Sequence, residues 1–304
     1  MKNKYYALVI STIILAMVSS SGLFGQTVSK SEDFTEFHTI EANESFNIVF
    51  KERPDYLVTW KTDKALSDYV EIYVAKKVLH INFNKKALSK ELKKTYRGNN
   101  APKPVFDVVI EAPTISRISL SDKVVLKTEG NTLSAEDFSL VLSGNARVEN
   151  FKLSAKTVDL ELSKNAEASL KIQADDIKVN ASNSAILNLS HKTGALTLTG
   201  SGSSKINSEG SASGASVNSQ GMASVSLSGS GERIDIQSSG FSKQNLSEFS
   251  VKKAYTNLSG SSEVIVNPSE VLSVEIKGAK LFFLNDPFIE IVGIDNGSLL
   301  HYSK

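Results

Sequence analysis

A repeat of about 19 residues is the feature of this sequence that most restricts its fold. Rows can be aligned on a small or polar anchor residue followed by a turn residue, and successive anchors lie 20, 19, 19, 19, 19, 20 and 18 positions apart. The anchors are Ser143, Ser163, Ser182, Ser201, Gln220, Ser239, Ser259 and Lys277. Repeats of this length are typical of solenoids, in which each repeat packs against its neighbours.

The positions before each anchor alternate between apolar and polar side chains. Three positions before the anchor, seven of the eight rows carry Leu, Val or Ile, as at Leu160, Val179 and Leu198. Alternation with a period of two predicts a strand with one buried face. Further apolar positions five and seven residues after the anchor predict a second strand in each row.

The position directly after the anchor predicts a recurring turn. It is Gly or Asn in seven rows and Lys164 in the eighth, and both Gly and Asn tolerate a positive φ. Each row therefore supplies two strands and a tight turn, and like strands stack in parallel from one row to the next. The sequence predicts an all-β fold, a parallel β-helix with about 19 residues per coil.

The stretch from Thr197 to Gly231 is rich in glycine and serine, as flexible linkers are. Apolar residues such as Leu198, Val217 and Val225 nevertheless keep their register within it. We interpret the stretch as the thinnest part of the β-helix.

Residues 1–25 have the features of a secretory signal peptide. Lys2 and Lys4 precede an apolar stretch from Tyr5 to Val18, and small residues follow. The apolar stretch is short for a membrane span. We therefore expect export to the periplasm, the outer cell surface or the medium, and no membrane span in the mature chain.

The composition limits which binding partners and which covalent modifications are possible. The 34 basic residues nearly balance the 33 acidic residues, so no overall field attracts nucleic acid. The chain contains no cysteine, which excludes disulfides and a lipid-modified cysteine.

The repeats divide the chain into four predicted segments. After the signal peptide at 1–25, residues 26–113 form a β-rich N-terminal segment or cap. The β-helix repeats occupy 114–280, and residues 281–304 form a C-terminal cap of one or two final coils. The bulky apolar residues of that last segment leave a docking surface open as an alternative.

Four groups of motifs, in this order, resemble one known family. They are "DFTEFHTIEANESFNIVF", "VIEAPTISRISLSDKVVLKTEG", the recurring blocks "LSGNA", "TGSGSSKI", "LSGSGERI" and "LSGSSEVIV", and "FLNDPFIEIVGIDNGSLL". The chain resembles the "putative auto-transporter adhesin, head GIN domain" family, a domain of unknown function in exported proteins of Bacteroidetes-type bacteria. This resemblance implies a right-handed parallel β-helix and an adhesin-type role.

A search for catalytic chemistry yields no candidate site. The four histidines lie in unrelated contexts without ligand spacing, so no metal site is predicted. "GSGSSK" at 200–205 precedes a strand rather than the helix a phosphate loop needs, so no cofactor is expected. Asp159 and Asp235 fall four rows apart in one column, too far for a shared glycosidic bond. No catalytic or cofactor-binding residue is predicted, and we expect no enzyme.

An outward polar column is the candidate ligand-binding strip; its members are Asn180, Thr199, Asn218, Gln237 and Asn257. Such stacked amides and hydroxyls either stabilise the rod through hydrogen bonds or present a face to a glycan or a cell-surface protein. The function predicted first is therefore a noncatalytic binding or adhesion module of the cell envelope. A passive structural or regulatory envelope protein is the alternative, and a carbohydrate-active enzyme is the second alternative.

Overall fold

The computed structural model describes residues 26–98, 101–130 and 132–302, and these form a β-solenoid of about 10 turns. The predicted signal peptide at 1–25 lies outside the described residues. Residues 26–112 contain the following elements: β1 (Thr27–Asp33), β2 (Thr39–Ala42), β3 (Asn47–Glu52), β4 (Leu57–Asp63), a 3-10 helix (Lys64–Tyr69), β5 (Val70–Ala75), β6 (Val78–Phe83), α1 (Lys90–Thr95) and β7 (Phe106–Ala112).

The remaining strands build the regular coils. They are β8 (Arg117–Leu120), β9 (Val125–Glu129), β10 (Leu133–Ser134), β11 (Asp137–Leu142), β12 (Arg147–Ser154), β13 (Thr157–Leu162), β14 (Glu167–Ala181), β15 (Ile186–Gly200), β16 (Lys205–Ser219), β17 (Ser224–Ser238), β18 (Lys243–Ser259), β19 (Glu263–Lys277), β20 (Lys280–Phe283), β21 (Phe288–Asp295) and β22 (Ser298–His301). From β14 to β19 the strands have 15 to 17 residues, because each continues round a corner of the coil, with shifts in register between β17 and β18 and between β18 and β19.

The strand register confirms the predicted parallel stacking. Leu160 is the partner of Val179, and Val179 is the partner of Leu198. Coils from β13 to β17 repeat every 19 residues, as the predicted rows do. The predicted apolar columns thus form the interior, where Val179 and Leu198 have no exposed surface.

The predicted turn column is also confirmed. All eight residues after the anchors have φ between 59° and 78°; they are Gly144, Lys164, Asn183, Gly202, Gly221, Gly240, Gly260 and Gly278. These turns stack directly, and a Cβ built on Gly202 would lie 3.0 Å from the backbone of Asn183. The preference for glycine therefore has two causes, the left-handed backbone and the close approach of the coil below.

Serines in the middle of the rod point inward and bond to one another. Ser219 Oγ lies 3.2 Å from Ser238 Oγ, which lies 2.8 Å from Ser242 Oγ. Gln244 Nε2 donates to Ser219 Oγ at 2.7 Å. These residues are buried, and their mutual bonds offset much of the cost of removing hydroxyls from water. The serine-rich stretch of the sequence thus contributes side chains to a narrow packed core.

Parallel stacking extends further towards the N-terminus than the 19-residue rows indicate. β2 lies between β6 and β8, and β3 lies between β7 and β9, all in parallel pairs. The coil formed by β2 and β3 is therefore enclosed by strands that follow it in the chain. Antiparallel β4 joins β1 to β7, and antiparallel β5 lies at the edge next to β6. Strands β4 and β5 interrupt the 19-residue period, which explains why the period is absent from the N-terminal part of the sequence.

Candidate functional site

The five strip residues lie on one outward column of neighbouring coils. The register pairs Asn180 with Thr199 and continues through Asn218 and Gln237 to Asn257. Four coil spacings give the column a length of about 19 Å. All five residues are uncharged, while the column carries Glu161 before them and Glu275 after them.

Four strip side chains are available for bonding to another molecule. Within the described part of the chain, the side chains of Asn180, Thr199, Asn218 and Gln237 form no hydrogen bond or ion pair with other protein groups, whereas Asn257 Nδ2 donates to Glu275 Oε2 at 3.0 Å. All four are at least partly exposed. The strip therefore presents amide and hydroxyl groups that water satisfies in the free protein.

A second column of polar side chains differs from the strip because two of its amides bond to each other. Asn188, Asn207, Ser226 and Asn245 line a shallow groove of about 590 Å³ on the second strand of each coil. There Asn207 Nδ2 donates to Asn188 Oδ1 at 2.8 Å. Nearer the N-terminus, Asn165 Nδ2 likewise donates to Asn145 Oδ1, at 3.3 Å. Amides of these columns stabilise the rod by pairing with each other, as the structural interpretation of a polar column predicts.

Two apolar side chains extend from the corner beside the strip. Met222 and Phe241 are 65% and 68% exposed, and they occupy equivalent turn positions in consecutive coils. Each lies four residues after a strip residue, Asn218 and Gln237 respectively. Our sequence analysis missed this pair, although a signal existed, because the same turn position is Asn or Ser in most other rows.

A charged cluster borders the strip on its other side. Arg233 donates two hydrogen bonds to Asp235, from Nε at 2.9 Å and from Nη2 at 2.7 Å. The Arg233 guanidinium also lies 4.1 Å from the centre of the Tyr255 ring. The bond to Asp235 raises the pKa of Arg233, so the arginine stays charged. Asp235 and Tyr255 stand two residues before Gln237 and Asn257 on their strands, which places the cluster next to the strip.

Asp159 and Asp235 do not form the carboxylate pair of a glycosidase. The register places Asp159 and Asp235 four coils apart, about 19 Å, whereas paired catalytic carboxylates lie about 5–9.5 Å apart. Asp235 is held by Arg233. Among the described residues, no group of three or more acidic residues or histidines is arranged to hold a metal ion.

His191 is the one histidine that the fold places inside the rod. It is 6% exposed, its Nδ1 lies 3.1 Å from Ser208 Oγ, and its Nε2 has no partner. Burial lowers the pKa of His191 to about 4, so the ring is neutral at physiological pH. Because it faces the interior, it does not contribute to the outer surface.

The fold is a parallel β-helix with a column of polar side chains along one outward face. The family described as "Putative auto-transporter adhesin, head GIN domain" matches residues 36–215 and 191–287, so the chain belongs to this family. Membership of an adhesin family indicates a noncatalytic binding module of the exported or surface type. No helix in the described ranges has the length and apolar character needed to cross a membrane.

A solved structure shares the architecture. The chain is similar to a crystal structure described as a putative adhesin from Parabacteroides merdae ATCC 43184, with 13% identity, a TM-score of 0.50, and coverage of 92% of this chain and 98% of that chain. Two proteins from Parabacteroides distasonis ATCC 8503 have the same coverage and TM-scores of 0.49. One is described as a putative lipid binding protein, at 17% identity, and the other as a putative adhesin, at 15%. No curated protein matches the chain.

Proposed function

We propose that this protein is an exported, noncatalytic binding module of the cell envelope, and that its strip binds an uncharged glycan. One observation carries the proposal, namely that four consecutive strip side chains have no hydrogen-bonding partner within the described protein while the groove amides Asn188 and Asn207 pair with each other. Amides and hydroxyls both donate and accept, as the hydroxyls of a sugar do.

The surroundings of the strip support a sugar ligand. Met222 and Phe241 provide an exposed apolar edge against which the carbon face of a sugar ring can pack. The strip itself is neutral over about 19 Å, which favours an extended uncharged chain over an anionic one. The export of the protein rests on the predicted signal peptide at 1–25 and on its family.

The test is a glycan array probed with the processed chain, followed by calorimetry on the glycans that bind. We expect the double substitution Asn218→Ala with Gln237→Ala to weaken binding at least tenfold. Its thermal stability should change little, because neither side chain bonds to the protein. The matched control, Asn188→Ala with Asn207→Ala, removes a bonded pair and should lower stability while leaving glycan binding unchanged.

Three results would contradict the proposal. The first is the absence of any bound glycan, which favours a passive structural role. The second is equal binding by the strip variant and the wild type. The third is shortening of a bound polysaccharide during incubation, which would identify an enzyme instead.

A further inference from the structure

The last coil leaves the end of the rod uncovered. Within the described chain, β21 pairs only with β19, and β22 pairs only with β20. Five of the eight large apolar side chains that are exposed in the described ranges lie in this coil: Phe288 at 72%, Ile291 at 61%, Val292 at 65%, Ile294 at 42% and Leu300 at 44%.

Two of these residues continue the core rather than the outer surface. Ile291 is stacked on Val274 and Ile294 on Ile276, and both of those partners are buried. The coil therefore exposes the final layer of the hydrophobic interior together with two strand edges. Exposed edges of this kind normally pair with another chain unless charges, prolines or a covering segment protect them.

The N-terminal end of the rod is protected against pairing with another chain. Its outer strand β1 carries Lys30, Glu32 and Asp33, and the 3-10 helix beside it buries Leu66. Strand β21 contains no lysine, arginine or proline, and the four residues between its two carboxylates, Glu290 and Asp295, are uncharged. The two ends therefore differ in kind, and a head-to-tail contact would set charged side chains of β1 against the apolar coil.

We propose that the C-terminal coil is a tail-to-tail dimer interface and that its occupant is the same coil of a second copy. The end of an identical rod offers two free strand edges and an uncovered core layer at the same spacing, as a two-fold contact requires. A two-fold axis near Ile291 pairs β21 with itself in the antiparallel direction. Around that axis Glu290 lies opposite Val292, so no carboxylate faces another carboxylate, and the register shift of β21 at Val292 confines the pairing to the residues next to the axis.

This inference is independent of the glycan strip and is tested by the oligomeric state. We expect analytical ultracentrifugation of the processed chain to show a dimer. The substitution Ile291→Lys should weaken the dimer at least tenfold, because it puts two lysines near the axis. Phe241→Lys is the matched control, since Phe241 is similarly exposed but lies on the side of the rod, and it should leave the dimer intact.

Cross-linking tests the geometry, since the chain has no cysteine of its own. Ile291→Cys, whose two copies face each other at the axis, should form a disulfide-linked dimer on oxidation, whereas Met222→Cys, similarly exposed at 65%, should not. A monomer at all concentrations would overturn the proposal, as would a dimer that Ile291→Lys leaves unchanged. Open-ended assemblies that grow with concentration would also overturn it, because they indicate head-to-tail contact. Pairing with a different protein while the chain alone stays monomeric would equally count against it.

Discussion

The Nδ1 atom of His191 lies 3.1 Å from the Oγ atom of Ser208, which belongs to the next coil of the interior. Burial lowers the pKa of His191 from 6.5 to about 4, so the folded protein resists protonation there while the unfolded chain does not. Stability is therefore full above pH 6.5 and falls as the pH decreases towards 4. The loss reaches about 3 kcal/mol from this group. Urea unfolding between pH 4 and pH 8 measures it.

The substitution His191→Leu should remove most of this pH dependence, because leucine does not titrate. An apolar residue suits this position, since the coil below has Ile172 there. His301→Leu is the control for replacing an exposed histidine. An unchanged slope in His191→Leu would assign the pH dependence to other groups.

Lys164 occupies a turn position that glycine fills in six of the other rows. Its φ of 61° is unfavourable for a residue with a side chain. We expect Lys164→Gly to raise the free energy of unfolding by up to about 1 kcal/mol, since relief of the left-handed strain exceeds the entropy cost of glycine. Asn183→Gly, at φ 59°, should gain less because asparagine tolerates this conformation. Urea midpoints compare the two, and a destabilised Lys164→Gly would contradict the reasoning.

Gly229 is an exposed residue stacked on Gly210 of the coil below, and its position cannot accept a side chain. Its φ is 119°, and a Cβ atom there would lie 1.8 Å from the carbonyl oxygen of Gly210. We expect Gly229→Ala to cost at least about 3 kcal/mol or to prevent folding, because backbone must move on both sides.

Gly214 provides a matched comparison one coil below. A Cβ there meets nothing within 4 Å, so Gly214→Ala should be neutral or stabilise by up to about 1 kcal/mol. Thermal melts distinguish the two, and equal stability of both variants would mean that the backbones of Gly210 and Gly229 do not lie in close contact.

Leu198 and Thr199 are consecutive residues that face opposite sides of one strand. Leu198 is fully buried between Val179 and Val217, whereas Thr199 belongs to the outward strip. We expect Leu198→Ala to destabilise by about 2–5 kcal/mol through the cavity it leaves. Thr199→Ala should cost less than about 1 kcal/mol because its side chain bonds to no protein group. The reverse order in chemical denaturation would show that the register is shifted by one residue.

Much of the regular rod could be predicted from the sequence because its contacts recur at a nearly constant offset. A residue such as Val179 meets partners one coil away in each direction, and each partner carries the same side-chain character. The positive φ values at Gly202 and Asn183 follow from the same repetition. The strip was predictable as a column for this reason, although the lack of internal hydrogen bonds at four of its five side chains was not.

The N-terminal coils show that a periodic sequence pattern does not predict every pair of neighbouring strands. Ile40 pairs with Leu79 on one side and with Ile118 on the other, and these partners share no constant offset. Antiparallel β4 and β5 pair with the other edges of β7 and β6.

The sequence by itself determined the repeating coil, its inward and outward faces and its turns, because each of these depends on local alternation and on neighbours at a fixed distance along the chain. Only the tertiary structure decided the order of the N-terminal strands, the exposure of Met222 and Phe241 beside the strip, and the uncovered core layer at Ile291 and Ile294. Those features depend on which surfaces other segments cover, and coverage by distant segments has no local signature in the sequence.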